Sequence, residues 1–237
     1  MTTRRPPHRR LAALAQRYEL DPGQVAALAS LLAILEADEH APTTVREPAQ
    51  AVDVHLADSL VALPLDEVQG AKAIADIGAG AGFPGLVLAI ALTGSEVALV
   101  ESNRRKCEFM QTVIDCLALA NARPVCARVE EWGEGRGAND LVVARAVASQ
   151  PVVLEYAAPL LRVGGHLLDW RGARSGADED AALGAAEELG LERTRVERVA
   201  PFPAARDHHL HLFVKTAPTP QRYPRRAGIA RKRPLGL

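Results

Sequence analysis

The residues whose types and spacing best suit ligand binding lie in a glycine-rich turn, DIGAGAGFPG, at positions 76–85. Its glycines allow the backbone to turn sharply and to approach a ligand closely. Pro84 suits the first turn of a helix, whose free N–H groups would then face the ligand. The next apolar run ends on Glu101, a carboxylate that can accept both hydroxyl groups of a ribose. Because the turn, Pro84 and Glu101 agree with one another, we favour a nucleoside site over a glycine turn without such a ligand.

Two nucleoside ligands fit the spacing of these glycines. Positions 80–85 satisfy GxGxxG, the pattern of dinucleotide-binding turns, which is weak evidence when it stands alone. Positions 76–82 also satisfy acid-x-G-x-G-x-G, the pattern of methyltransferases that use S-adenosylmethionine (SAM). The acid, Asp76, favours SAM, because a carboxylate at the strand end could receive the methionine ammonium directly or through water. We therefore expect SAM contacts at Gly78, Gly80, Gly82 and Glu101.

Two further polar residues follow predicted strands, at the edge where ligands of open α/β sheets bind. Glu130 comes just after the third strand, where methyltransferases commonly hold the adenine. Arg145 closes the fourth strand, within the apolar run 141–147. A buried cation needs a partner, so Arg145 either forms a salt bridge with a neighbouring acid or contacts SAM or the substrate.

Several motifs of other methyltransferases are absent from this sequence. The Asn/Asp-Pro-Pro-aromatic tetrapeptide of enzymes that methylate exocyclic amines is replaced after the fourth strand by Ala144-Arg145-Ala146-Val147. Cys126 and Pro124 do not form the cysteine motif of RNA cytosine-C5 enzymes. An unprotonated ring nitrogen such as guanine N7 fits better, because its lone pair needs no general base and alignment would carry the rate. We therefore name no catalytic residue.

The histidines give weaker signals. His209 and His211 share a strand face, but only Asp207 accompanies them, so we expect no metal ion. His55 and Ser59 lie one helical turn apart, which by itself is also typical of a satisfied surface helix.

The elements that must position these residues can be placed from hydrophobic periodicity. Residues 10–19, 22–37 and 50–62 are predicted helices, with Asp21-Pro22 as the cap and first-turn proline of the second. From about residue 72, strands and helices alternate, which favours a parallel, doubly wound sheet. We expect a turn at Gly164-Gly165 before a strand at 166–170, and an antiparallel edge from 193–199 and 210–215.

Composition and charge limit the class of protein. The 237 residues, 48% of them hydrophobic, suit one α/β domain with an appendage. No apolar run has the length of a membrane helix, we see no signal peptide, and the three cysteines form no CxxC, so a cytoplasmic location is expected. Residues 1–10 carry four arginines and residues 216–237 carry six basic residues, with no acid in either. Such basic ends indicate a polyanionic partner or, alternatively, solvated tails.

These motifs together resemble one family, the ribosomal RNA small-subunit methyltransferase G family (RsmG, also called GidB). The resemblance covers most of the chain and rests on these segments: Val45-Arg46-Glu47-Pro48, His55-Leu56-Ala57-Asp58-Ser59-Leu60, the turn at 76–85, Glu101-Ser102 with Arg105-Lys106, Arg145-Ala146 with Ala148-Ser149, and the C-terminal stretch YPRRAG followed by KRPL. The chain departs from the family pattern where Ala144 replaces a serine and Arg171 replaces a lysine.

The resemblance implies a class I SAM-dependent methyltransferase: a Rossmann-like, mostly parallel seven-stranded sheet (71–216), a small helical N-terminal appendage (1–70) and a basic C-terminal tail (217–237). It implies methylation of N7 of a guanine in the 530-loop region of 16S rRNA, free or in the assembling small subunit. Apart from the resemblance, we expect the protein to be a monomer. It implies SAM contacts at Gly78, Phe83, Glu101, Val129, Glu130 and Arg145. Candidates for holding RNA are His55, Asp58, Ser59, Arg171, Arg225 and Arg226.

Two alternatives from other classes stay open at this point. An NAD-dependent oxidoreductase would also use a glycine turn, but no tyrosine here forms the Tyr-x-x-x-Lys pair of short-chain dehydrogenases. A non-catalytic RNA-binding protein could retain a methyltransferase fold, although the intact turn and Glu101 speak against it. Calorimetry with SAM and with NAD separates these possibilities.

Overall fold

Seven strands form the sheet at the centre of the protein, and a computed structural model describes residues 6–45 and 47–236. The strands are β1 (Ala73–Ile77), β2 (Glu96–Glu101), β3 (Ala122–Cys126), β4 (Asn139–Arg145), β5 (Leu161–Arg171), β6 (Leu191–Val199) and β7 (His208–Lys215). Their order is β3-β2-β1-β4-β5-β7-β6, and β7 is antiparallel to both of its neighbours. The predicted mostly parallel sheet and its antiparallel edge are confirmed.

Ten α-helices are present among the described residues: α1 (Pro7–Arg17), α2 (Pro22–Ala37), α3 (Pro48–Ala51), α4 (Asp58–Leu60), α5 (Asp66–Gln69), α6 (Gly85–Ala91), α7 (Arg104–Leu117), α8 (Gln150–Ala157), α9 (Gly176–Leu189) and α10 (Ile229–Lys232). They cover the sheet on both faces. One hydrophobic cluster joins α1, α2, α6 and α7 to the sheet, and a second joins α8, α9 and α10 to it. This double cover is what a parallel sheet with crossover helices requires.

The N-terminal helices pack on α6 and α7, which cover one face of the sheet. Asp21 caps α2 by accepting a hydrogen bond from the Gln24 amide, and the Gln24 side chain accepts one from the Asp21 amide. This capping box, with Pro22 in the first turn, explains why the predicted start of α2 is correct. The predicted helix at 50–62 is present as α3, a π-helical segment (Val52–Ala57) and α4.

Two expectations about the chain differ from the structure. Gly164-Gly165 is not a turn between elements, because β5 runs without a break from Leu161 to Arg171. Gly164 has a φ of +83°, and the register of β4 against β5 shifts between Asn139 and Leu141, so the glycine pair forms an irregularity inside a strand. The basic C-terminal segment is also not a solvated tail, because Tyr223 and Ala230 are buried in the second hydrophobic cluster.

Part of the sequence motifs lies outside the described residues, namely residues 1–5, Arg46 and Leu237. The first arginines of the basic N-terminus and the arginine of the Val45-Arg46-Glu47-Pro48 motif are therefore not placed. In the described part of the chain, no helix combines the length and the apolar character needed to cross a bilayer.

Candidate active site

A polar cavity of about 250 Å³ lies at the carboxyl ends of β1, β2 and β4. Strand order reverses between β1 and β4, so the cavity occupies the switch point where open α/β sheets bind their ligands. It is lined by Gly78, Val100, Glu101, Ser102, Lys106, Ala127, Arg128, Val129, Glu130, Ala146, Val147, Tyr156 and Arg231. Four predicted SAM contacts, Gly78, Glu101, Val129 and Glu130, are thus brought together.

The glycine turn is shaped by backbone that needs glycine. Gly78, Gly80 and Gly82 all have positive φ, at +69°, +62° and +92°. A Cβ on Gly82 would lie 2.2 Å from Leu86 Cδ1, so this glycine permits close packing of the turn on α6. A Cβ on Gly80 would meet nothing closer than 3.8 Å, so Gly80 is open on its free side. The Gly80 amide donates to Glu101 Oε2 at 3.2 Å, which ties the turn to the end of β2.

Asp76, near the end of β1, is hydrogen-bonded to the far end of the glycine turn. Its Oδ2 accepts a hydrogen bond from the Gly85 amide at 2.8 Å, at the start of α6, while its Oδ1 is buried without a partner. The residue is 1% exposed, and burial raises the pKa of Asp76 to about 7, against the opposing effect of the Gly85 amide and of Arg145. A buried carboxylate oxygen without a donor is costly, and a ligand ammonium group would satisfy it.

A second cluster lies beside the turn, on the side of the N-terminal helices. The His55 imidazole stacks on the Phe83 ring, with centroids 4.3 Å apart and planes 10° from parallel. His55 Nε2 lies 3.0 Å from Thr43 Oγ1, and the buried Nδ1 has no partner. Burial, together with the charge of Arg145, lowers the pKa of His55 to about 4, so the ring is neutral at pH 7.

Arg145 completes this cluster and joins it to the sheet. Its Nη1 donates to Asp58 Oδ2 at 2.7 Å and to the Val54 carbonyl at 2.9 Å. The guanidinium carbon lies 5.8 Å from the centroid of the Phe83 ring. The salt bridge to a neighbouring acid is therefore present, and Asp58 is that acid. Because Asp58 Oδ1 is buried without a donor, the pair still has capacity for a ligand.

The remaining RNA candidates have different surroundings. Ser59 is 0% exposed and its hydroxyl donates to the His55 carbonyl at 2.6 Å, so it offers no surface to RNA and the surface-helix interpretation is wrong. Arg171 donates to the Ala148 carbonyl at 2.8 Å. Arg225 is held by Glu155 in an ion pair, whereas Arg226 is exposed. Of the arginines in this set, Arg226 is the one free to meet a phosphate.

The cavity fits the nucleoside and amino-acid parts of SAM by the chemistry of its walls. The Glu101 carboxylate suits ribose hydroxyls, and the turn at Gly78 admits a close ligand. Asp76 does not line the cavity, but it lies at the end of β1 directly before the turn, and its unpartnered oxygen suits an ammonium. No group of three or more histidine, cysteine or acidic side chains within residues 6–45 and 47–236 is arranged to hold a metal ion.

Tyr156 and Arg231 are among the residues of the cavity wall that sequence reasoning did not assign to the site. Tyr156 lies in α8, which the sequence marks only as an apolar helix. Arg231 directly precedes the C-terminal KRPL motif (232–235), and the resemblance of that motif to the family was the available signal.

The fold and the site together define the class of this protein. A seven-stranded sheet of this order, with a glycine turn after β1 and an acid at the end of β2, is the class I SAM-dependent methyltransferase fold. A SAM-dependent O-methyltransferase of Thermotoga maritima has a similar structure, with a TM-score of 0.56 at 18% identity over 79% of this chain and 72% of that one. At that identity the likeness concerns the fold alone.

Sequence comparison places the chain in a family within this class. Residues 24–208 match the profile of the family described as rRNA small subunit methyltransferase G (GidB). The chain is 40% identical to the ribosomal RNA small subunit methyltransferase G of Synechococcus sp. (strain JA-3-3Ab), over 82% of this chain and 78% of that protein. It is 41% identical to the one of Chloroflexus aggregans, over 81% and 82%. The chain belongs to the rRNA small subunit methyltransferase G family, and the resemblance noted in the sequence is confirmed.

Proposed function

We propose that this protein transfers the methyl group of SAM to N7 of a guanine in the 530-loop region of 16S rRNA. The observation that carries the proposal is the cavity at the switch point, which brings Gly78, Glu101 and Glu130 together in one wall. Family membership supports the same reaction and the same class of RNA.

Four side chains in or next to the cavity have a binding task in this proposal. Glu101 accepts the ribose hydroxyls, and its bond to the Gly80 amide fixes the carboxylate in place. Val129 and Glu130 border the adenine, and Asp76 Oδ1 receives the ammonium group. SAM supplies an electrophilic methyl group on a sulfonium, so the protein needs to orient the reactants and to exclude water.

The second cluster, formed by His55, Phe83, Asp58 and Arg145, is the proposed binding site of the target base. His55, Phe83 and Asp58 are buried, so Arg145, whose side chain is 17% exposed, is the group of this cluster that can reach the base. Guanine N7 has a free lone pair, and no proton leaves it during methyl transfer, so none of these groups must act as a base. Their task is to position the purine, with Arg145 oriented by Asp58 and by the Val54 carbonyl.

The parts of the chain divide these tasks. Residues 1–70 supply His55 and Asp58, residues 71–216 bind SAM, and the basic C-terminal segment 217–237 contributes phosphate contacts from exposed residues. Arg226, Lys232 and Arg233 are exposed, and no ion pair engages them within the described part of the chain. We place the protein in the cytoplasm as a monomer that acts on 16S rRNA or the assembling small subunit.

The test is mass-spectrometric mapping of N7-methylguanine in 16S rRNA from cells with and without the gene. We expect one modified guanine in the 530-loop region to lose its methyl group on deletion and to regain it on complementation. A Gly80→Val variant is the matched control for complementation. Unchanged methylation after deletion would refute the proposal, and calorimetric binding of NAD instead of SAM would favour the oxidoreductase alternative.

A further inference from the structure

The C-terminal residues 222–235, which we call the strap, run along α9 and α8 towards the cavity. Arg222 Nη2 donates to Glu188 Oε1 at 2.8 Å, and the Tyr223 hydroxyl donates to the same oxygen. Arg225 then donates to Glu155 in α8 from its amide at 3.0 Å, from Nε at 2.9 Å and from Nη2 at 2.5 Å. The strap is therefore fixed before it reaches the cavity.

Buried contacts stabilise the strap against α8 in the folded protein. Glu155 is 0% exposed, so its charge depends on Arg225 for compensation. Breaking a buried ion pair by removing one partner is strongly destabilising, because the other charge stays behind without compensation. Ala230 in α10 is also buried, against the cluster that includes α8. A freely moving basic arm would have neither of these contacts.

The end of the strap contributes to the cavity wall through two contacts. The Gly228 amide donates to Glu130 Oε1 at 3.0 Å, so the strap holds the side chain expected beside the adenine. Arg231 lines the cavity itself and donates from Nη2 to the Val147 carbonyl at 3.0 Å. Glu130 and Val147 also line the cavity, and they follow β3 and β4 respectively. The strap thus joins the two loops that border the adenosine end.

The chemistry of Arg231 suits a purine nucleoside. A guanidinium is planar, always charged and weakly hydrated, and it stacks on aromatic faces as well as donating hydrogen bonds. Tyr156 lies in the same wall, where burial and the Glu130 carboxylate raise the pKa of its hydroxyl. An aromatic ring and a guanidinium in one wall form a surface that can take the flat face or the edge of an adenine.

We propose that the strap is a wall of the cofactor pocket, in which Arg231 contacts the adenosine part of SAM and Gly228 orients Glu130. This assignment rests on the proposed function, because it concerns the same ligand. It gives the C-terminal segment a task in cofactor binding that is separate from any contact of its exposed basic residues with RNA phosphates.

The test compares Arg231→Ala with Arg233→Ala. Both arginines are exposed residues of the strap, but only Arg231 lines the cavity. Calorimetry with SAM should show about a tenfold increase in Kd for Arg231→Ala and less than about a twofold change for Arg233→Ala. Thermal unfolding without SAM should be unchanged in both variants. If Arg231→Ala unfolds early, Arg231→Lys, which keeps the charge and the stem but not the planar group, takes its place and should still bind SAM more weakly.

A second measurement distinguishes the strap from an RNA-binding tail. Binding of a 16S rRNA fragment without SAM should weaken in Arg233→Ala because a phosphate contact is lost. Equal SAM affinity of the parent chain and both Arg231 variants would overturn the strap's assignment while leaving the proposed function intact. A parent chain that does not bind SAM would refute the proposed function itself.

Discussion

Replacing Asp76 by asparagine tests both the buried carboxylate and its proposed ligand. Asparagine keeps an oxygen that can accept the Gly85 amide bond of 2.8 Å, but it removes the charge. In the protein without ligand this charge lowers the free energy of unfolding, because Oδ1 is buried and accepts no hydrogen bond. We expect Asp76→Asn to increase the stability of the ligand-free protein and to weaken SAM binding.

The magnitude follows from the pKa of Asp76, which burial raises from 3.8 to about 7. A shift of about three units corresponds to an upper limit of roughly 4 kcal/mol in the free energy of unfolding. The sign is destabilising: the unfolded chain loses its proton first, so this carboxyl lowers stability progressively as pH rises from about 4 to about 7. Above that window the cost is constant, and below it the acid and the amide are equivalent.

Urea unfolding of both proteins at pH 4.5 and pH 8, without SAM, measures this cost. The advantage of Asp76→Asn should be small at the lower pH and largest at the higher one. Asp169→Asn is the matched control, because Asp169 is equally buried and burial raises its pKa to about 7 as well, but it lies in β5 and is bonded to Gln150 instead of to the glycine turn. Both variants should gain stability at pH 8, whereas SAM affinity should fall about tenfold in Asp76→Asn alone. An advantage that does not change with pH would refute the burial argument, and unchanged SAM affinity would refute the ammonium contact.

Three other variants test the turn, the second cluster and the strap. Gly80→Val forces a β-branched residue to a φ of +62° and places its side chain in the turn, so SAM binding by calorimetry should be lost while circular dichroism stays native; retained affinity would contradict the cradle. His55→Phe keeps an aromatic ring against Phe83 but removes the bond to Thr43, so the methyl-transfer rate to a 16S rRNA fragment should fall with SAM affinity unchanged; a lower SAM affinity with a normal rate would place His55 in the cofactor site instead. Arg225→Ala leaves Glu155 buried without its partner and should cost about 3–5 kcal/mol in urea unfolding, whereas the exposed Arg226→Ala should cost little; equal costs would disprove the buried pair.

The sequence by itself determined the sheet and the glycine turn. Alternating strand and helix patterns, capping residues such as Asp21, and glycines that need positive φ act within a few residues of one another. Local sterics and hydrogen bonding decide such features whatever the rest of the chain does, so they can be recognised from the sequence. Glu101 and Glu130 could be placed at the cavity for the same reason, because the carboxyl ends of parallel strands share one edge.

Only the tertiary structure decided which distant groups meet. Arg145 pairs with Asp58, His55 stacks on Phe83, and the strap bonds to Glu130 across 98 positions of sequence. Several acids could have paired with Arg145, and the basic C-terminal segment was compatible with a solvated tail. Which partner is chosen depends on how the helices pack on the sheet and on the free energy of burying each charge, and neither quantity is set by residue spacing along the chain.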